Sequence, residues 1–204
     1  PESLFNIESV IHSNNHQLLK VDINDRKIIE EVVLDNKPDA IVHLAAETHV
    51  DSSIEQPQKF VETNIIGTFN LLEATRNYLR DKNNASSFKF LHVSTDEVYG
   101  SLKHKDIKKF NETTPYNPRS PYSASKASSD HLVRAWNSTF NVPTLISNCS
   151  NNYGPFQFPE KLIPLMITNA LSTARLPIYG TGQNVRDWLF AVSYTHLTLP
   201  TMFE

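Results

Sequence analysis

A doubly wound parallel α/β sheet is the fold class this sequence predicts, and three observations predict it. Short apolar runs alternate with helical stretches along the chain, as repeated β-α-β units require. Several of those runs are continuously apolar rather than alternating, the pattern of strands covered on both faces. A polar, ionisable stretch, Ser94-Thr95-Asp96-Glu97, leaves the end of one run, and open parallel sheets bind ligands beyond the carboxyl ends of their strands.

The elements follow in chain order. Residues 17–23 read as a strand, after which Asn24 or Asp25 caps a helix carrying Ile28, Ile29, Val32 and Val33, stopped by Pro38 and Asp39. Residues 40–46 form a short apolar run, a buried strand. A long helix is expected from about 58 to 79, with Val61, Ile65, Phe69 and Leu72 as its inner stripe. Residues 88–94 are the next strand, and a lysine-rich loop over 103–109 precedes a helix opened by Ser120-Pro121, a capping serine followed by proline in the first turn. That helix shows an apolar face of Leu132, Val133, Trp136 and Phe140, and residues 143–149 supply a further strand. Residues 151–155, Asn-Asn-Tyr-Gly-Pro, read as a turn. The organisation predicted is a first domain over 1–155, the start of a second over 156–190, and a tail over 191–204 whose pattern does not continue what precedes it.

Composition narrows the class. With 204 residues and 39% hydrophobic content the chain has enough apolar material for a core. A formal net charge of -3 with scattered Lys and Arg gives no case for nucleic acid or an anionic membrane, so small molecules are the expected partners. No apolar run approaches the roughly 20 residues a membrane helix needs, and no signal-peptide pattern opens the chain. One cysteine, Cys149, cannot form an internal disulfide, so a cytoplasmic location is expected. The histidines lack metal-ligand spacing, and no metal is expected.

The chemistry sits in two constellations. Tyr122 and Lys126, four apart on a helix, share a face, so the ammonium can favour the phenolate and make Tyr122 a base. Asp96 and Glu97 offer an acid and a base at a strand end, useful together only if their environments separate their protonation states. As a bland alternative, adjacent acids also occur at ordinary turns.

Read together, His43-Leu44-Ala45-Ala46-Glu47-Thr48-His49-Val50-Asp51, residues 94–100, 120–134, 148–155 and 184–189 resemble the nucleotide-sugar 4,6-dehydratases of the extended short-chain dehydrogenase/reductase superfamily. The resemblance implies a Rossmann-like, NAD-dependent lyase, active as a homodimer through the helices near 58–79 and 121–140. It would oxidise a nucleotide-diphosphate sugar at carbon 4, eliminate water across carbons 5 and 6, and return the hydride to carbon 6. It points to dTDP-glucose as substrate and its 4-keto-6-deoxy sugar as product, while the residues themselves leave the base, dTDP, UDP or CDP, open.

By the same resemblance Tyr122 is the base at carbon 4, Lys126 holds the ribose, Asp96 is the acid, Glu97 the base at carbon 5, and Thr95 bonds the carbon 4 oxygen. Asp22, Ile23, Leu44, Ala45, Ala46, Glu47, Thr63 and Asn152 join Tyr122 and Lys126 on the cofactor side. Thr48, Asn151, Lys161, Leu162, Pro177, Ile178, Tyr179 and Arg186 join Thr95 on the substrate side. Two alternatives stand beside this reading. One is a nucleotide-sugar 4-epimerase, whose relatives usually carry small or polar residues at Asp96-Glu97, and the other is a non-catalytic dinucleotide-sensing module. Only five glycines occur and none forms G-x-x-G-x-x-G, the turn that meets a pyrophosphate at a helix N-terminus. The first βαβ unit is therefore expected to be missing, and the 204 residues alone are expected to show negligible turnover.

Overall fold

In the computed structural model residues 4–80, 87–102 and 109–196 are described, so most of the lysine-rich loop and the end of the tail lie outside them. Two units are distinguished: one comprises Pro1–Lys20 with Asn151–Thr195, the other Val21–Ser150 with His196–Glu204.

The larger unit is built on a three-stranded parallel sheet of order β1-β2-β3, with β1 Ala40–His43, β2 Lys89–Thr95 and β3 Thr144–Cys149. The register pairs His43 with His92, and Ser94 and Thr95 with Asn148 and Cys149. Helix α1, Arg26–Asn36, starts where Asp25 Oδ1 accepts the Ile28 N–H at 3.2 Å, and ends at Lys37 in the left-handed region. A short α2, Val50–Glu55, leads through Gln56 into one continuous helical stretch: α3 Pro57–Phe60, a π-helical segment Val61–Gly67, and α4 Thr68–Arg80.

Helix α5, Pro121–Phe140, opens on a reciprocal cap. Ser120 Oγ accepts the Ser123 N–H at 3.1 Å, and Ser123 Oγ accepts the Ser120 N–H at 3.0 Å. The core gathers Ile29, Val33, Leu72, Tyr78, Leu79, Phe88, Phe90, Val133 and Val142 between α1, α4, α5 and the sheet. Burying side chains of this size contributes roughly 1.5–3 kcal/mol each.

Three sequence expectations are corrected here. Residues 17–23 form no strand: Leu18, Leu19 and Val21 are exposed, and no described strand pairs with them, so apolar character alone does not create a ladder. The inner stripe of the long helix holds at Leu72, which is fully buried, but is displaced at its N-terminal end. Val61 is 47% exposed while Asn64, Gly67, Thr68 and Asn70 are buried, because a π turn adds a residue and rotates everything upstream of it. The apolar run beginning at Ala40 leaves the sheet after His43, and Leu44 is 64% exposed.

In the smaller unit β4, Asn151–Tyr153, pairs in parallel with β5, Trp188–Phe190, where a turn was expected. Main-chain pairing outweighs the turn preference of Asn, and the turn starts at Gly154 instead. Helix α6, Leu162–Leu171, also belongs to this unit.

Candidate active site

Strand β2 delivers the first group of side chains. Its last residue, Thr95, caps a 3-10 turn over Asp96–Tyr99: Thr95 Oγ1 accepts the Glu97 N–H at 3.2 Å and lies 3.4 Å from Asp96 Oδ1. Both carboxylates are half-buried, while Val98 beneath them is fully buried and anchors the turn. The turn closes at Gly100, whose φ of 93° brings its α-carbon so close to the Asn117 carbonyl oxygen that an added Cβ would stand 2.6 Å away. A side chain is excluded there on both counts.

The first turns of α5 deliver the second group. Tyr122 is 9% exposed and Lys126 4%, as expected for residues one turn apart on the buried face. The Glu97, Asp96 and Thr95 side chains are close enough to Tyr122 to act on it electrostatically. Thr95, Asp96, Glu97 and Tyr122 thus meet at the carboxyl end of β2.

The electrostatics differ from the simple expectation for a Tyr-Lys pair. Burial pushes the Tyr122 phenol above its ordinary value, Glu97 pushes it further, and the Thr95 side chain works against both. Burial brings the Lys126 ammonium down to about 8, opposed by Asp130 and Cys149. Rather than lying free above the phenol, Lys126 Nζ donates to the Val93 carbonyl oxygen at 2.9 Å and stands 3.4 Å from His92 Nε2.

A polar layer lies beneath these groups. Asn64, at 1% exposed, makes three bonds to two neighbours: its Oδ1 accepts the Glu47 N–H at 2.8 Å, and its Nδ2 donates to the Glu47 carbonyl at 3.0 Å and to Ser125 Oγ at 2.9 Å. His43 Nε2 meets Thr68 Oγ1 at 2.9 Å. His43 and His92 are both depressed, chiefly by burial, so both imidazoles are neutral. Sequence reasoning chose Thr63 and passed over its neighbour Asn64, and it also missed His92, Ser125 and Asp130. The only local signal for them was polar residues recurring at helical spacing on a face that should have been apolar.

The remaining expected residues fall into two groups. In the larger unit, Leu44, Ala45 and Thr48 are exposed and Ala46 half-buried beyond the end of β1. Glu47 pairs with Lys59 at 2.8 Å, Thr63 is half-buried on the π segment, and Ile23 packs against the core. Asp22 is exposed, its Oδ1 accepting the Asn24 N–H at 2.9 Å. In the smaller unit, Asn151 and Asn152 lie on β4, and the Asn152 carbonyl accepts Gln157 Nε2 at 2.9 Å. There Lys161 precedes α6 and pairs with Glu160 at 3.6 Å, Leu162 opens that helix, and Pro177 is half-buried. Ile178, Tyr179 and Arg186 are exposed. Among the described residues no group of His, Cys, Asp or Glu could hold a metal ion.

The site can abstract a proton through a phenol and, one residue pair away, move protons through two carboxylates. A family model described as GDP-mannose 4,6 dehydratase matches residues 2–202. The chain is 50% identical over 224 residues to dTDP-glucose 4,6-dehydratase 1 of Escherichia coli strain K12, covering all of this chain and 62% of that protein. Among solved structures, dTDP-glucose 4,6-dehydratase of Bacillus anthracis in complex with NAD superposes with a TM-score of 0.81 at 44% identity, over 95% of this chain and 56% of the other. A double mutant of the Streptomyces venezuelae dTDP-glucose 4,6-dehydratase, with NAD and DAU bound, gives 0.86 at 40% identity, over 94% and 56%. The chain spans 57% to 62% of the length of the first curated relatives it matches.

Proposed function

Because the chain belongs to the GDP-mannose 4,6 dehydratase family, we propose that it carries the catalytic residues of an NAD-dependent dTDP-glucose 4,6-dehydratase, a lyase that forms the 4-keto-6-deoxy sugar nucleotide. The observation that carries this reading is the approach of Tyr122 to Thr95, Asp96 and Glu97, within electrostatic reach of one another at the carboxyl end of β2. It sets a base for carbon 4 beside an acid-base pair for carbons 5 and 6, so adjacent carbons of one sugar meet adjacent catalysts.

NAD, when bound, would accept a hydride from carbon 4 and give it back at carbon 6. The residues present suit its nicotinamide and ribose end: Lys126 is a buried ammonium, and the small Ala45 and Ala46 follow β1. Asp22, Ile23, Leu44, Glu47, Thr63 and Asn152 complete the cofactor side in this reading.

Tyr122 takes the carbon 4 hydroxyl proton, with Thr95 bonded to the same oxygen. Once carbon 4 is a ketone, the carbon 5 proton is acidic and Glu97 removes it, while Asp96 protonates the departing carbon 6 hydroxyl. Glu97 raises the cost of a Tyr122 phenolate, so uptake of the carbon 4 proton by Tyr122 relieves its repulsion with the Glu97 carboxylate before that carboxylate acts as the second base. Thr48, Asn151, Lys161, Leu162, Pro177, Ile178, Tyr179 and Arg186 bind the sugar nucleotide. Arg186, exposed and charged, suits a diphosphate.

Homodimerisation and a cytoplasmic location belong to the same reading. The first is supported by the exposed Val61, Ile66 and Phe140 on the two long helices, the second by a single free cysteine. The test is to incubate the full-length gene product that carries this sequence with NAD and dTDP-glucose, following loss of one water by mass spectrometry. Epimerised but undehydrated product would refute the dehydratase reading.

A further inference from the structure

Asp130 takes no part in the steps above, yet it is 0% exposed and sits one turn beyond Lys126 on α5. Its Oδ2 accepts hydrogen bonds from Ser94 Oγ at 2.9 Å, Tyr116 OH at 2.8 Å and Asn148 Nδ2 at 3.3 Å. Its Oδ1 stands 3.3 Å from His92 Nε2. A carboxylate buried so deeply is costly unless paired, and a pin between helix and sheet is the bland account of it.

Two relationships go further. The first concerns the turn: Asn148 Nδ2 also donates to the Thr95 carbonyl at 3.3 Å, and Ser94 is the residue before Thr95. Tyr116 adjoins Asn117, whose N–H donates to the Val98 carbonyl inside the turn at 2.9 Å. The second concerns charge: His92 Nε2 lies between Asp130 Oδ1, at 3.3 Å, and Lys126 Nζ, at 3.4 Å. With His92 neutral, Asp130 and Lys126 are an anion and a cation separated by one imidazole.

We propose that Asp130 is a positioning residue for both halves of the reaction: across the His92 imidazole it is the counter-charge that keeps Lys126 an ammonium, and through Ser94, Tyr116 and Asn148 it fixes the turn bearing Asp96 and Glu97. This rests on the dehydratase reading.

The groups around the pair set the sign of the pH effect. Lys126 interacts with His43 of β1, His92 of β2 and Cys149 of β3 besides Asp130, and of these only Asp130 and Cys149 favour its charged form. Asp130 in turn faces His92 and Tyr116, with Arg134 Nη2 donating to the Tyr116 hydroxyl at 3.0 Å and Tyr99 within electrostatic reach. Burial pushes the Asp130 carboxyl up, but hydrogen bonds involving His92, Ser94 and Tyr116 outweigh it, and the group stays ionised. Removing its charge therefore lets Lys126 deprotonate at lower pH.

The experiment compares the wild-type full-length gene product with Asp130→Asn and Tyr116→Phe. In Asp130→Asn the alkaline limb of kcat should move about one unit toward lower pH, with kcat at pH 8 down about fivefold and KM within about threefold. Tyr116→Phe keeps the charge, so its limb should stay in place while the elimination step slows. An unmoved limb in folded Asp130→Asn, or an equal shift in Tyr116→Phe, overturns the proposal. If Asp130→Asn does not fold, His92→Gln carries the test, since it leaves Asp130 ionised and spares the three bonds to Oδ2. A limb that stays near its wild-type position there supports the counter-charge, and a limb moved by about one unit overturns it. Failure of the wild-type protein to dehydrate dTDP-glucose would instead count against the dehydratase reading itself.

Discussion

Lys126 Nζ donates to the Val93 carbonyl oxygen at 2.9 Å, which ties the ammonium of α5 to the strand that carries Thr95. Burial brings this ammonium down to about 8 from 10.5. The charged form is complete below that value and is lost as pH rises through it. Turnover by the full-length gene product should therefore fall on the alkaline side with a midpoint near pH 8, and Lys126→Met should abolish that limb along with most activity. A pH–rate profile flat from 7 to 10 would contradict the assignment.

Glu97→Gln separates the two chemical halves. The variant keeps the side-chain size and removes the carbon 5 base, so single turnover with dTDP-glucose should reduce NAD without releasing product, whereas Tyr122→Phe should give no reduction. The variant also removes the charge that holds the Tyr122 phenol up. Its oxidation step should consequently reach full rate at a lower pH than in wild type. Deuterium at carbon 4 of the substrate should slow NAD reduction and confirm which bond breaks.

Gly100→Ala places a Cβ 2.6 Å from the Asn117 carbonyl at a φ of 93°. Backbone at both ends of the contact must shift, at a cost of about 1–3 kcal/mol. Because the strained residue ends the Asp96–Tyr99 turn, elimination should slow more than oxidation. Denaturant titration and single-turnover kinetics on the same preparation measure the two effects, and equal slowing of both steps would argue against a local distortion.

Asn64→Ala removes an amide that satisfies both main-chain groups of Glu47 and the Ser125 hydroxyl. A loss of about 1–3 kcal/mol is expected from the buried groups left unpaired. Asn64→Asp keeps the acceptor for the Glu47 N–H but not the two donors, so it should be no better. A variant as stable as wild type by denaturant titration would contradict the bond network.

Legibility in the sequence followed the range of the interactions involved. The start of α5 was readable because Ser120, Pro121 and Ser123 satisfy one another within four residues. Strands β2 and β3 were readable because their apolar runs suit a sheet covered on both faces. Residues 17–23 misled because strand formation needs a neighbour that local composition does not supply. The inner face of the long helix misled because Asn64, Thr68 and Asn70 are buried by partners in Glu47, His43 and Ile23, distant in sequence. Within the candidate site, the Tyr122 and Lys126 spacing announced itself, but the identity of the ammonium's neighbours depended on β1, β2 and β3 coming together, which no local pattern encodes.

The π segment Val61–Gly67 makes chain length act as an angular coordinate. Phe60 just before it and Asn64 within it face α5, while downstream the helix presents Leu72 and Tyr78 to the core, and a regular α-helix of the same sequence could not hold both phases at once. One residue more or fewer between Asn64 and Thr68 would leave the core face in register and turn Asn64 by about 100° away from Ser125. Substitutions along this stretch change what a position contacts, whereas an insertion or deletion would change which position makes the contact.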